Sequence, residues 1–95
     1  MILEKAVLDI IPDKAPEFEQ VFKQAQKMIS AMPGYIKHQL NRCIETESRY
    51  LLLVKWQTLE NHTIGFRRSA GYQQWKALLH RFYELSPEVE HYKVF

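Results

Sequence analysis

The sequence predicts an α+β fold whose elements follow the order β-α-β-β-α-β. Two observations carry this prediction: four apolar stretches of strand length, and two regions in which apolar residues recur at helical spacing. The chain has 95 residues, 46% of them hydrophobic, and is expected to form one domain over residues 1–95. A ferredoxin-like arrangement suits this order best, with a four-stranded antiparallel sheet and both helices on one face.

The first part of the chain is predicted to form a strand followed by a helix. Residues 2–10 have the length and the aliphatic content of a strand. Asp13 is predicted to cap the helix that follows. Apolar residues recur at intervals of three and four between Phe18 and Met32, which predicts a helix with one buried side. The pair at 33–34, Pro-Gly, is expected to end this helix.

The next two strands differ in polarity. Residues 35–45 alternate between apolar and polar side chains, which predicts a second strand. Three apolar residues are expected to share one face of it with His38: Ile36, Leu40 and Ile44. Residues 46–49 should form a turn, and residues 50–57 form the most hydrophobic strand.

The second helical region is predicted in two pieces. Thr58 can cap the first piece and Ser69 can cap the second, so the helix is expected to break or bend near Arg68. Apolar residues of the second piece lie at helical spacing: Tyr72, Trp75, Leu79 and Phe82. Pro87 closes the region, and residues 89–95 are predicted as the last strand.

The two central strands, the first and the third, are predicted to be apolar on both faces. The face away from the helices carries Leu3, Val7, Leu51 and Leu53. A strand with one solvated face should alternate cleanly, and two helices can cover only one face of the sheet. We therefore expect a homodimer in which the sheet of a second copy covers these four residues. The alternative is a monomer in which loops shield Leu51 and Leu53.

Composition excludes several classes of function. The formal net charge of +2 is too small to indicate nucleic acid as a partner. RNA recognition motifs share this element order, but they need stacking aromatic residues in the middle of the third strand, where this chain has Leu52 and Leu53. No stretch approaches the length of a membrane span, so no membrane partner is expected.

Cys43 is the only cysteine, which excludes an internal disulfide and fits a reducing cytoplasm. Glu4 and Lys5 interrupt the apolar N-terminal stretch, so no signal peptide is expected. The histidines and acidic residues lack the spacing of a metal site, and no metal is predicted.

Two residues of the helical region are candidates for catalysis. His62 lies on the same helical stripe as Phe66, and an imidazole can accept a proton from a phenol near neutral pH. The structural alternative is a histidine that bonds a backbone carbonyl and holds the helix in place. Arg67 could stabilise an oxyanion, and the structural alternative is a solvated surface arginine. Arg68 points about 100° away and cannot line the same pocket.

Further candidates could contact a planar substrate. Phe66, Tyr72 and Trp75 form an aromatic stripe that could serve as core, as a stacking wall, or as both. From the sheet, His38 lies on the apolar face of the second strand. His91 and Tyr92 lie on opposite faces of the last strand, and either could meet the helical wall. His80 is expected to be solvated.

The chain resembles the antibiotic biosynthesis monooxygenase (ABM) domain family. The likeness rests on four segments in order: PGY (33–35), YLLLVKWQTLENHTIGFRRS (50–69), YQQW (72–75) and VEHY (89–92). The resemblance implies a dimeric α+β barrel with a pocket between sheet and helices. Some members oxidise anthrone, quinol or related aromatic substrates with molecular oxygen, and they use no metal, flavin or haem.

Another branch of that family degrades haem, using an Asn, a Trp and a His. Ala6, Phe66 and Lys76 stand at those places here, which argues against haem degradation. Two functions therefore remain. The first is a cofactor-independent oxygenase for a small aromatic or quinol-type substrate. The second is a non-catalytic barrel that binds a small apolar ligand.

Overall fold

The computed structural model describes all 95 residues. The elements and their bounds are β1 (Ile2–Asp9), α1 (Ala15–Ser30), β2 (Tyr35–Arg42), β3 (Arg49–Trp56), a π-helical turn (Asn61–Phe66), α2 (Ala70–Leu79), a short 3-10 turn (His80–Phe82) and β4 (Glu88–Lys93). The predicted β-α-β-β-α-β order is confirmed. The last strand was predicted over residues 89–95; in the structure it begins one residue earlier and ends two residues earlier.

The four strands form one antiparallel sheet in the order β2-β3-β1-β4. β1 and β3 pair along their whole lengths, from Ile2 opposite Trp56 to Asp9 opposite Arg49. β4 pairs with the other edge of β1. β1 and β3 are therefore central, and β2 and β4 are the edges, as the sequence predicts.

The hydrophobic core lies between the sheet and the helices. α1 contributes Phe18, Phe22, Ala25 and Ile29, which recur every three or four residues and are all buried. Burying a large apolar side chain stabilises the fold by about 1.5–3 kcal/mol. This one-sided burial holds α1 on the sheet, and replacing the fully buried Phe18 by a charged residue would detach it.

A bulge near the start of β2 changes which side chains face the helices. Tyr35 pairs with Trp56 and Lys37 pairs with Lys55, so Ile36 is the extra residue. Ile36 is exposed, and Tyr35 takes its place beside His38 on the helix-facing side. The prediction that Ile36 shares the face of His38 is therefore wrong.

Two further predictions about this half of the chain are also wrong. Ile44 lies beyond the end of β2 and is 93% exposed. Asp13 does not cap α1: its backbone adopts a left-handed conformation (φ 73°), and the helix is preceded by Lys14, whose side chain makes no capping bond. A residue with positive φ cannot occupy the extended N-cap position.

The caps of the second helical region are confirmed. Thr58 Oγ1 accepts the backbone N–H of Asn61 (3.2 Å), and Asn61 Oδ1 accepts the Thr58 N–H in return (3.0 Å). Ser69 Oγ accepts the N–H of Tyr72 (3.0 Å) and starts α2. Between the two caps the helix widens into a π turn, in which the Arg67 N–H donates to the carbonyl of His62 (3.2 Å).

The face of the sheet away from the helices carries the four residues that were predicted there. Leu3, Val7, Leu51 and Leu53 are each half-buried in the protomer. Lysines also lie on this face, because Lys55 pairs with Leu3 and Lys5 pairs with Leu53. Neither helix has the length and apolar character needed to cross a membrane.

Candidate active site

A cavity of about 250 Å³ lies between the centre of the sheet and the second helical region. Its floor is formed by central-strand residues, and its roof by the π turn and α2. The floor includes Glu4, Ala6, Leu8 and Leu52, and the roof includes His62, Phe66, Arg67, Tyr72 and Trp75. The cavity thus brings together five of the predicted site residues.

Glu4 is the one acidic side chain in this cavity. Alternation along β1 places it between Ile2 and Ala6 on the helix-facing side, where it is only 5% exposed. Trp56 Nε1–H donates to its Oε1 (2.9 Å). Burial raises the pKa of Glu4 from 4.5 to about 6, although the Trp56 hydrogen bond and the charge of Arg67 oppose this rise.

Sequence reasoning missed Glu4, although a signal was present. Every other helix-facing residue of β1 is apolar, so a single carboxylate at that position interrupts the period of two. A carboxylate is seldom fully buried without a partner. A lone acid on the buried face of a central strand therefore marks a candidate site.

His62 lies directly above this carboxylate and is 4% exposed. Its Nε2 is 3.4 Å from Glu4 Oε1, and its Nδ1 is 2.8 Å from Nε2 of His91. Its ring stacks on Trp56, with ring centroids 5.5 Å apart. Burial lowers the pKa of His62 to about 3, assisted by the positive charge of Arg67 and by His91, so the imidazole is neutral at pH 7.

His91 closes the cluster from the edge of the sheet. It lies on β4 directly opposite Glu4, which explains why its side chain reaches His62. It is half-buried, and burial together with the charge of Arg67 lowers its pKa. Arg67 lines the cavity and Arg68 does not, so the positions of the two guanidinium groups fit the predicted preference.

The aromatic stripe packs edge to face. Phe66 lies 5.3 Å from Tyr72 and 5.8 Å from Trp75, with interplanar angles of 79° and 81°. Phe66 and Trp75 are buried and belong to the core, whereas Tyr72 is half-buried at the cavity. The stripe therefore acts as core and as cavity wall together.

His80 and Tyr83 extend this wall. The ring of His80 lies 5.1 Å from that of Tyr83, and both side chains line the cavity. The prediction that His80 is solvated is wrong, because the chain enters a 3-10 turn at this residue and the side chain stays half-buried. Burial raises the pKa of Tyr83, so its hydroxyl stays protonated.

Three predicted substrate contacts do not line the cavity, and of these His91 reaches it only through His62. His38 occupies a separate cleft between α1 and β2, where Nδ1 is 2.5 Å from the Tyr35 hydroxyl and Nε2 is 2.9 Å from Gln26 Oε1. Tyr92 pairs with Leu3 and lies on the opposite face of the sheet. Neither His38 nor Tyr92 fits the predicted role in this protomer, because β2 is an edge strand and β4 alternates.

No group of three or more His, Cys, Asp or Glu side chains is placed to hold a metal ion. The reactive groups of the cavity are therefore a buried carboxylate, a neutral imidazole bonded to a second imidazole, one guanidinium and phenol hydroxyls. Together they can accept a proton, stabilise an anion and stack against a planar ring.

The family model of the antibiotic biosynthesis monooxygenases matches residues 1–78 of the chain. This match spans most of the sequence, and the chain belongs to the antibiotic biosynthesis monooxygenase family. The resemblance drawn from the sequence segments is thereby confirmed.

Individual relatives cover nearly the whole chain. YczJ of Bacillus subtilis (strain 168), an uncharacterized protein, is 55% identical over 93 residues, with 98% of each chain covered. A crystal structure of a Bordetella bronchiseptica protein of the same family is 33% identical with a TM-score of 0.94, covering 99% of this chain and 96% of that one.

The fold also matches SnoaB of Streptomyces nogalater, a cofactor-independent oxygenase. The TM-score is 0.82 at 16% identity, with 99% of this chain and 93% of SnoaB covered. At this identity the likeness concerns the fold alone.

Proposed function

We propose that this protein is a cofactor-independent monooxygenase that acts with molecular oxygen on a small aromatic or quinol-type substrate. The observation that carries the proposal is the cavity of about 250 Å³, which joins a largely apolar lining to a buried ionisable cluster that links its floor and roof. Family membership and the shared fold of SnoaB support a reaction of this type.

The protein does not have to supply electrons for this reaction, because a reduced aromatic substrate supplies them. Loss of a substrate proton leaves an electron-rich anion, and a C–O bond to oxygen then forms a peroxide. Breaking the O–O bond releases water. The substrate gains one oxygen atom and loses two hydrogens, and the second oxygen atom leaves in that water.

The cavity residues suit the parts of this reaction. Tyr72 and the edge of Trp75 offer a surface against which a planar ring can stack. Arg67 is placed to stabilise the substrate anion. The proton acceptor must come from the ionisable cluster, in which Glu4 of the floor and His62 of the roof lie 3.4 Å apart.

Oxygen uptake by the purified, metal-free protein tests the proposal. The substrates are a panel of hydroquinones, anthrones and catechol-like phenols, and ¹⁸O₂ reports whether one labelled atom enters the product. Arg67→Ala is expected to lower uptake. The matched control is Arg68→Ala, which removes the adjacent guanidinium outside the cavity and should leave uptake unchanged.

Failure of every compound would contradict the oxygenase. Binding of the same compounds without oxygen uptake would instead support the alternative, a non-catalytic barrel that holds a small apolar ligand. Uptake lowered equally by Arg67→Ala and Arg68→Ala would keep the oxygenase and remove Arg67 from its site.

The proposal also includes a homodimer through the outer face of the sheet, in a cytoplasmic protein. Leu3, Val7, Leu51 and Leu53 leave an apolar face half exposed on the two central strands, and leaving such a face in water is unfavourable by about 25 cal/mol per Å². Sedimentation should give twice the chain mass.

Leu53→Lys should shift that dimer to monomer. The matched control is Ile64→Lys, because Ile64 is apolar and 47% exposed but lies on the π turn, on the other side of the molecule. A wild-type monomer, or a dimer that survives Leu53→Lys, would contradict this assembly.

A further inference from the structure

We propose that Glu4 is the proton-accepting group of the cavity, and that His62, linked to His91, is a positioning residue that holds the Glu4 carboxylate in place. This inference rests on the proposed function and reassigns the base that the sequence alone favours.

The geometry of His62 makes it less available to a substrate than Glu4. Nδ1 is engaged with His91 at 2.8 Å, and Nε2 faces Glu4 Oε1 at 3.4 Å. The ring is stacked on Trp56 and is 4% exposed. No hydrogen bond joins Nε2 to Oε1, but a substrate hydroxyl that used Nε2 would have to displace the close contact between this nitrogen and the carboxylate.

The carboxylate of Glu4 is arranged differently, because its two oxygens have separate surroundings. Oε1 receives the Trp56 N–H at 2.9 Å and faces His62. Oε2 makes no hydrogen bond, yet no buried side-chain oxygen in the structure lacks a partner. Oε2 is therefore accessible, and since Glu4 lines the cavity, this oxygen is the one that a bound hydroxyl can reach.

The cluster also sets the direction of its hydrogen bonds. An ionised Glu4 can only accept, so a proton on His62 Nε2 is favoured over a lone pair 3.4 Å from Oε1. His62 Nδ1 then accepts from Nε2–H of His91. This fixed order holds the imidazole neutral and leaves Oε2 as the free acceptor.

Glu4 takes up one proton and returns it within one turnover. The substrate O–H bond breaks, its electron pair stays on the substrate oxygen, and the proton binds Glu4 Oε2. Molecular oxygen, the oxidant, adds to the substrate anion. The resulting peroxide anion takes the proton back from Glu4, which regenerates the carboxylate. The O–O bond of this hydroperoxide then breaks, the C–H bond at the same carbon gives up its proton to the departing hydroxide, and water leaves as a C=O bond forms; the substrate carbon is oxidised and oxygen is reduced.

The surroundings support a carboxylate that works near neutral pH. Charged and titratable groups face Glu4 from every neighbouring element: His62 from the π turn, Arg67 just after it, His91 from β4, Tyr72 from α2, and His80 and Tyr83 from the 3-10 turn and its end. Burial raises the pKa of Glu4 to about 6, closer to the working pH than an ordinary carboxyl group.

The first arm of the test follows Glu4 without any substrate. A ¹³C-carboxyl NMR titration should show one glutamate with a midpoint near 6, and this resonance should be missing in Glu4→Gln. The Trp56 Nε1–H resonance should move with the same midpoint. His62→Gln should displace that midpoint, as expected for a group that positions the carboxylate. A Glu4 midpoint at or below 4.5 would overturn the proposal.

The second arm measures oxygen uptake with the same panel of substrates. Glu4→Gln should lower the turnover rate by about a hundredfold or more, the usual contribution of a general base. His62→Gln should lower it less and should move the acidic limb of the pH profile. Glu60→Gln is the matched control, because Glu60 is exposed and outside the cavity, and it should leave the rate unchanged.

The outcomes separate the two proposals. Wild-type uptake that persists in Glu4→Gln, or that is lost only in His62→Gln, would overturn the assignment of Glu4 and keep the oxygenase. Absence of uptake by the wild type with every compound would overturn the oxygenase, and the assignment of Glu4 with it.

Discussion

Two histidines that look equivalent in the sequence differ in the structure because they lie over different parts of the sheet. His62 sits over the central strands, with a carboxylate and a second imidazole as partners. His38 sits on edge strand β2, with the neutral partners Tyr35 and Gln26. The centre of the sheet is closed by helices on one side, whereas the edge remains open to water.

The same contrast appears between two glutamates. Burial raises the pKa of Glu4 to about 6 over the central strands. At the edge, Glu19 accepts hydrogen bonds from Tyr50 and Arg42, and these bonds lower its pKa. Desolvation dominates at the centre and hydrogen bonding dominates at the edge. The central carboxylate is the one held in a state suited to proton transfer.

Truncation of the tryptophan that links these groups should have the largest effect. Trp56 is fully buried, contacts the ring of His62 and donates to Glu4. Trp56→Ala is expected to lower the free energy of unfolding by about 3–5 kcal/mol. Tyr35→Ala, which removes the hydroxyl partner of His38 on edge strand β2, should lower it by less, and urea denaturation measures both.

Trp56→Phe sharpens this test, because it keeps an aromatic ring and removes only the N–H donor. The pKa of Glu4 should then rise further, since the ionised carboxylate loses its hydrogen bond. Equal losses of stability for Trp56→Ala and Tyr35→Ala would contradict the contrast between centre and edge.

Replacing Glu4 should stabilise the protein at neutral pH. A carboxyl whose pKa is raised in the folded state contributes stability that is present below its unfolded pKa and is lost as pH rises from 4.5 to about 6. The shift corresponds to about 2 kcal/mol. Glu4→Gln should therefore match the wild type at pH 4 and exceed its stability by about 2 kcal/mol at pH 7.

Glu19→Gln is the comparison at the edge, and its effect has the opposite sign. Its lowered pKa contributes stability that is present above the unfolded pKa and is lost as pH falls. Denaturation at pH 4 and pH 7 measures both variants. A Glu4→Gln protein less stable than the wild type at pH 7 would show that the carboxylate has a structural role and would weaken its assignment as a functional group.

A feature of the fold could be predicted from the sequence when residues close together in the chain determine it. The order of elements, the stripe of α1 and the cap at Ser69 follow from local spacing and hydrogen bonding, and the structure confirms them. The bulge at Ile36 and the left-handed Asp13 depend on strand pairing and loop closure, which the local pattern does not contain.

The candidate site divides in the same way. Alternation and helical spacing locate His62, Arg67, Phe66, Tyr72 and Trp75 at one cavity. The cluster of Glu4, His62 and His91 needs the register that sets β4 opposite β1, because the three residues are far apart in sequence. The lone acid of β1 and the two histidines were visible in the sequence, but their pairing was not.

The smallest effect is expected at the surface pair of Arg42 and Glu19, in the cleft between α1 and β2. Arg42 bonds Glu19, which also accepts from the Tyr50 hydroxyl, and the Arg42 side chain is 68% exposed. Water and salt screen such a pair, so Arg42→Gln should change the unfolding midpoint less than either variant above, and the difference should shrink in high salt. Melting curves at low and high ionic strength measure it. A salt-independent loss as large as that of Trp56→Ala would mean that the cleft between α1 and β2 is as closed as the centre of the sheet, and that the location of a carboxylate in the fold does not decide its chemistry.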